Sequence, residues 1–393
     1  DVGNSAFVLL VATIMPIYFN YLAENAGLSA ADYLAYWGYA TSAATLIVAL
    51  LGPVFGTLAD TEGLKKPIFT TTMLIGGIGC LALGFSRQWF LFLLIYIIAK
   101  IGFSGSLIFY DSMLGDITTE DRVDNVSSQG YAWGYIGSCV PFVLCLVIVL
   151  GSDPLGIRME TAMGIAFVLV AVWWLLMSLP LLKNYEQKYY VEKKPHAIAQ
   201  SFKRLGETFK NMKEEKQVFM FLLAFFFYID GVYTIIDMAT AYGSALGLDS
   251  TGLLLALLVT QIVAFPCAII FGNLSYRIRT EKLIIVCIFA YLGIVIFAVF
   301  LKTQLQFWIL AILVGMFQGG IQALSRSYFT KIIPEEHSGE YFGLMDICGK
   351  GASFVGTTIV SIVSQFTGNI SMGVGMIAIL FCIGIVIFLK AVS

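Results

Sequence analysis

The amino-acid sequence describes an all-α integral membrane protein with twelve transmembrane helices in two pseudo-symmetric six-helix halves, and three observations carry that expectation. Of 393 residues, 59% are hydrophobic and only 12% charged, and the mean hydropathy is +0.87; a soluble domain is about 45–50% apolar and about 25% charged. The apolar residues fall in runs of about 20, the length a helix needs to cross a bilayer. The largest polar connection, residues 183–216, divides these runs six and six.

In chain order the runs lie near 2–22, 33–58, 67–86, 89–110, 126–150 and 161–182, then 217–242, 250–274, 282–301, 305–329, 341–364 and 370–390. An even count returns both termini to one side, and the distribution of Lys and Arg over short loops orients them. The side that carries the termini receives Lys65 and Lys66 after the second run, Arg122 after the fourth and nine basic residues in 183–216. It also receives three in 275–282, Arg326 with Lys331 around the end of the tenth run, and Lys390 at the end. Those are 18 of the 23 basic residues, against Arg87, Arg158 and Lys302 on the other side. The termini are therefore expected in the cytoplasm. A start at Asp1 in place of Met reads as a missing cytoplasmic lead, and with no basic n-region or cleavage site it is no secretory signal.

The resulting organisation is an N-terminal half over 1–182, a cytoplasmic linker over 183–216 and a C-terminal half over 217–393. Inside the linker Ile198, Phe202, Leu205, Phe209 and Met212 recur at helical spacing, with Lys203, Arg204, Lys210 and Lys213 on the other faces. This pattern predicts an amphipathic helix lying on the headgroups. The halves echo each other at Gly56-Thr57-Leu58-Ala59-Asp60 and Gly272-Asn273-Leu274-Ser275-Tyr276, which end the second and eighth runs. Repeated six-helix halves are the layout of secondary transporters.

A net charge of -2 without a basic cluster free of the membrane argues against a nucleic-acid partner. All seven cysteines fall inside apolar runs, so they read as small core residues rather than disulfides or metal ligands. Both histidines, His196 and His337, lie in polar connections. No HExxH, GxSxG or phosphate-cradling loop is present. An enzyme is not expected, nor a metal or other cofactor; the partners are the lipid bilayer and a small-molecule substrate, and a monomer is expected.

The segment Gly56-Thr-Leu-Ala-Asp60-Thr-Glu-Gly63-Leu-Lys65-Lys66 resembles the signature between the second and third helices of the major facilitator superfamily: Gly-x-Leu-x-Asp-x-x-Gly followed by basic residues. Gly56 permits close helix approach, Gly63 permits a positive φ, and Asp60 can meet the positive N-terminus of a helix in the opposite half. Such a contact latches the cytoplasmic side. Thr61 stands where a basic residue often follows the Asp, which predicts a weaker charge network. Tyr276 replaces the Asp in the second copy, so only one latch is expected to be ionic.

Further stretches resemble the vacuole effluxer family within that superfamily, which includes the fungal autophagy-related amino-acid exporter. They are Asp1-Val-Gly-Asn4-Ser-Ala-Phe7, Ser127-Ser-Gln129-Gly-Tyr131-Ala-Trp133-Gly-Tyr135, Tyr228-Ile-Asp230-Gly231, Gly320-Ile-Gln322-Ala-Leu-Ser-Arg326-Ser327, and Glu340-Tyr-Phe-Gly343 through Gly349-Lys350. They span both halves. The resemblance implies the major facilitator fold, alternating access, and export of amino acids or similar small metabolites. Alternatives within transport are a proton-coupled importer of a sugar or nucleoside, and a lysolipid flippase.

Ionisable groups at membrane depth cost several kcal/mol on insertion scales (about 2.5–3.5) and mark function or pairing. Lys100 lies near the middle of the fourth run and Asp230 near the middle of the seventh. The expectation is that they pair across the halves in one conformation and couple proton binding to the switch; the simpler readings are a permanent bridge, or a snorkelling Lys100. Asp237, two turns beyond Asp230, relays protons or meets water at a vestibule. Asp346 and Lys350, four apart with the acid first, suit an intrahelical bridge. Arg326 either completes a helix C-terminus or grips a substrate carboxylate. Gln318 and Gln322, Tyr131 and Tyr135, and Asn4 are polar groups that can line a cavity or glue helices together.

Overall fold

A computed structural model describes residues 1–152, 156–192 and 215–392. It is helical throughout, and among the described residues twelve helices are long and apolar enough to cross a membrane. The predicted linker helix lies outside the described residues.

The first span is broken into α1 (Val2–Ala12) and α2 (Ile14–Asn25). The cause is in the sequence: Pro16 has no N–H to give and its ring crowds the carbonyl of Ala12 one turn back. Thr13, at the break, has φ -128° and ψ -67°, and its hydroxyl donates to the Leu9 carbonyl at 2.6 Å. The uninterrupted first run expected from hydropathy is corrected to this pair of half-helices. There follow α3 (Ala30–Ala59), α4 (Lys65–Leu83), α5 (Trp89–Ser112), the single turn α6 (Leu114–Ile117), α7 (Val123–Leu150) and α8 (Met159–Asn184). The later helices are α9 (Lys216–Ala245), α10 (Ser250–Leu274), α11 (Thr280–Val299), α12 (Gln304–Ile332), α13 (Ser338–Thr367) and α14 (Ile370–Val392), with a 3-10 turn at Glu335–His337.

One turn type recurs at matching places. After α2, Gly27 takes φ +82° and after α9, Gly247 takes φ +77°; a side chain would be strained at either, so glycine ends both helices. Each glycine is followed by Leu and then by an acceptor side chain that starts the next helix. Ser29 accepts from the Asp32 amide at 3.3 Å and Asp249 from the Gly252 amide at 2.7 Å, as N-caps do. α12 opens with a reciprocal cap: the Gln306 amide donates to Thr303 Oγ1 at 3.3 Å and the Thr303 amide to Gln306 Oε1 at 3.1 Å.

The described residues cluster into two compact units. One consists of Asp1–Ile117, Trp133–Phe202 and Glu336–Gly343, the other of Thr118–Ala132, Lys203–Glu335 and Leu344–Ser393. In the first, the rings of Phe7, Phe103 and Trp174 pack in tilted and edge-on pairs with centroids 4.8 to 5.6 Å apart, and Gly76 and Gly102 let the backbones of α4 and α5 touch. In the second, Phe221 packs on Tyr328 and Phe329 at 5.3 and 5.5 Å, and Gly384 lies against the backbone of Tyr228. Small residues at contacts serve helix packing where lipid removes the hydrophobic drive. Large apolar side chains such as Leu46, Val147 and Leu305 are exposed on helix exteriors, as lipid-facing residues are.

The cysteines are all free, with Cys80, Cys139, Cys145 and Cys287 buried. Cys382 departs from the core reading: it is exposed on α14, and Cys267 and Cys348 are half-buried.

Candidate functional site

The signature segment folds into a buried electrostatic cluster. Asp60 is the C-cap of α3. Its Oδ1 accepts from the Gly339 amide at 2.7 Å and its Oδ2 from the Glu340 amide at 3.0 Å. These are orphan N–H groups of the first turn of α13, so the carboxylate sits at the positive end of that helix. The approach is possible because Gly56 faces Gly339 with no Cβ on either side; a Cβ on Gly339 would lie 2.6 Å from the Gly56 carbonyl oxygen. Gly63 turns the chain with φ +71°.

Of the two lysines, Lys66 donates to the Tyr185 carbonyl at 3.4 Å, whereas Lys65 is fully buried. Its ammonium lies 3.3 Å from Asp116 Oδ2, 3.9 Å from Asp60 Oδ1 and 2.8 Å from Ser338 Oγ. Lys65 supplies the cation of this network, and Thr61, which stands where a basic residue often follows the Asp, is bridged to Val191. The buried Lys65 cation and the positive N-terminus of α13, with the two amides aimed at Asp60, offset the buried acids of the cluster, Asp60, Asp116 and Glu340. His337 and Glu340 bring ligand atoms within 4.8 Å of those of Asp60. A metal ion there would meet the Lys65 ammonium and a helix N-terminus, both positive.

The matching end of the second unit is built differently. Gly272 of α10 approaches Ser128 of α7, where an added Cβ would lie 2.7 Å from the serine Cβ, and Asn125 donates to Asn273 at 3.1 Å. Tyr276 is exposed. An ion pair exists all the same: the Lys331 ammonium lies 2.6 Å from Asp124 Oδ2, which also accepts from the Thr280 hydroxyl at 2.6 Å. The expectation of a single ionic contact is corrected, because other positions of the fold supply the charges that the repeat lost.

The Tyr-x-Asp-Gly stretch of α9 reaches three neighbours. The hydroxyls of Tyr228 and Ser325 of α12 are 2.7 Å apart. Gly231 makes room for the ring of Phe381 of α14. Asp230, fully buried, turns to α13: its Oδ1 accepts from the Gly356 amide at 2.8 Å and from Thr234 at 3.2 Å. Among the described residues its Oδ2 has no hydrogen-bond partner.

Arg326 lies within α12, which runs on to Ile332, and not at its C-terminus. It is 4% exposed, its Nε donates to Ser127 Oγ at 2.9 Å and its Nη2 to the Ser127 carbonyl at 3.0 Å, and its guanidinium lies 4.4 Å from the centre of the Tyr131 ring. It clasps α12 to the start of α7 with a bond set that fits its planar fork. Gln318 is buried and Gln322 half-buried on the same helix. Asp346 and Lys350 of α13 are paired with each other. Asp237 is exposed. In the first unit, Tyr135 is buried, Asn4 and Lys100 are half-buried, and Lys100 lies 5.4 Å from the centre of the Phe103 ring. Lys100 and Asp230 belong to different units.

Sequence reasoning passed over Asp116, Tyr185, Asp124, Lys331 and Ser127. The first four stand at span boundaries, where a charge or a phenol reads as loop chemistry. The only available signal was that Ser127 opens a stretch already singled out for resemblance.

The chain shares its fold with transporters of the major facilitator superfamily. The human organic anion transporter MFSD10 superposes with a TM-score of 0.71 at 12% identity, covering 98% of this chain and 96% of that one. FucP, in its outward conformation, gives 0.71 at 14% identity, covering 99% and 97%. Twelve spans, this fold and the Asp60 signature define an integral membrane transporter of the superfamily. Within it the chain belongs to the vacuole effluxer Atg22-like family, whose model matches residues 29–392. It is 44% identical to the MFS-type transporter YxiO of Bacillus subtilis over 98% of this chain and 92% of that one. It is also 23% identical to autophagy-related protein 22 of Eremothecium gossypii over 83% and 70%.

Proposed function

We propose that the protein is a secondary transporter working by alternating access, which exports amino acids or similar small metabolites in exchange for protons, with Asp230 as the proton-carrying group. The observation that carries the coupling is the open oxygen of Asp230: a fully buried carboxylate whose Oδ1 takes two donors while Oδ2 takes none among the described residues. Such an oxygen is completed by a proton or by a cationic group, and either event changes the charge at mid-membrane. Amino acids as cargo rest on the resemblance to the exporter family. The excess of Lys and Arg on the linker side supports cytoplasmic termini, and the protein works as a monomer in the plasma membrane of a bacterium or the vacuolar membrane of a eukaryote.

The test is uptake of radiolabelled amino acids, with a sugar and a nucleoside as comparisons, into proteoliposomes under an imposed pH gradient. Saturable amino-acid flux that the gradient accelerates, and that Asp230→Asn renders indifferent to pH while exchange at equal pH persists, is the expected result. Flux of the sugar or nucleoside alone would overturn the cargo. Unchanged pH dependence in Asp230→Asn would overturn the coupling role.

A further inference from the structure

The latch has a component that the superfamily signature does not contain. Residues 185–191 leave α8 and run back across the end of α3. The Val191 amide donates to the Asp60 carbonyl at 2.8 Å, the Glu62 amide returns a bond to the Val191 carbonyl at 3.1 Å, and Gln187 Nε2 donates to the Ala59 carbonyl at 3.2 Å. The last carbonyls of a helix have no partner within it, so this stretch completes the C-terminus of α3.

Asp116 holds the stretch in place. It is 2% exposed. Its Oδ1 accepts from the amides of Lys188 and Tyr189, both at 3.1 Å, and its Oδ2 from the Tyr185 hydroxyl at 2.5 Å and the Lys65 ammonium at 3.3 Å. Burial, and then the charge of Asp116, push the Tyr185 phenol well above its usual range, so it remains a donor. Asp60 is therefore gripped twice: by its backbone from the 185–191 stretch, and by its side chain on the first turn of α13. Lys65 joins the two carboxylates involved.

We propose that residues 185–191 are a working strap of the latch, with Asp116 as the positioning residue: the strap keeps the Asp60 carboxylate aimed at Gly339 and Glu340, and the latch opens only when the strap lets go. The proposal ties the start of the interdomain linker to the switching step, and it holds whatever the cargo is.

Two variants test it away from the ionic residues. Val191→Pro removes the donor to the Asp60 carbonyl, with Val191→Ala keeping it as the control; Tyr185→Phe removes one donor from Asp116. The readout is amide hydrogen exchange of the full chain in lipid nanodiscs. In both variants the amides of Lys188 and Tyr189 should exchange about tenfold faster, the effect of losing one hydrogen bond of ordinary strength. The decisive amides are Gly339 and Glu340, far away in sequence. They should accelerate by a similar factor in Val191→Pro and Tyr185→Phe and stay at the wild-type rate in Val191→Ala. Acceleration confined to the strap would make it surface packing and overturn the proposal, as would strap amides that exchange at the wild-type rate in both variants.

Discussion

In the first unit α3 meets the start of α13 through Gly56 and Gly339, and the contact is anchored by a carboxylate on two helix amides with a buried lysine behind it. In the second unit α10 meets the start of α7 through Gly272 and Ser128, and the anchor is an amide-to-amide bond with a partly exposed ion pair beside it. The glycine is common to both because helix backbones approach this closely only where no side chain intervenes. The anchoring chemistry is not. A buried charge cluster is costly to leave half-satisfied and so has two discrete conditions, made or broken. A neutral amide pair contributes about 1 kcal/mol, and the ion pair beside it is open to water on its lysine side, with Asp124 buried. The first contact is therefore the costlier of the two to break.

Substitutions can break that contrast in a graded way. Lys65→Met strands Asp60 and Asp116 as buried charges and should cost about 3–5 kcal/mol, read from thermal unfolding in detergent. Adding Asp116→Asn should recover part of the loss, and a double-mutant cycle showing no coupling would contradict the geometry. Gly56→Ala drives a methyl into the backbone of Gly339 and should cost about 1–3 kcal/mol and slow transport. Arg326→Ala removes two charge-assisted hydrogen bonds and the stacking on Tyr131; a loss of about 1.5–3 kcal/mol is expected, with Arg326→Lys recovering little because ammonium lacks the planar fork. Lys331→Ala, at a pair whose lysine side chain is 22% exposed while Asp124 is buried and keeps the Thr280 hydroxyl, should cost about 1–3 kcal/mol, less than Lys65→Met. Asn273→Ala should cost about 1 kcal/mol. If Lys331→Ala destabilised the protein more than Lys65→Met, the contrast between the two ends would be reversed.

The spans were legible because membrane insertion imposes length and apolarity on each helix separately, whatever its neighbours do. The break at Thr13 was also written locally, in Pro16, but hydropathy averages over it. Asp60 and its glycines were legible as a signature. The bonding of Lys65 was not, since two adjacent lysines are equivalent in sequence and only the surrounding helices bury one and leave the other at the rim. Arg326 illustrates the same limit: its position at the end of a run suggested a cap or a substrate grip, whereas Ser127 and Tyr131, some 200 residues earlier, claim it. Asp237 is two turns from Asp230 on the same helix, yet one is exposed and the other fully buried, a difference set by what α13 and α14 cover.

By itself the sequence determined the class of protein, the number and order of its membrane spans, the close approach at Gly56, and the short set of charges at membrane depth. Each of these follows from the cost of exposing a backbone or a charge to lipid, a cost that every segment meets on its own. Only the tertiary structure decided which charge neutralises which. It set Lys65 between Asp60 and Asp116, aimed Asp230 at the Gly356 amide, and laid the strap at 185–191 across the end of α3. Those pairings join residues tens to hundreds of positions apart, and a charge finds its partner through the packing of helices and not through its place in the chain.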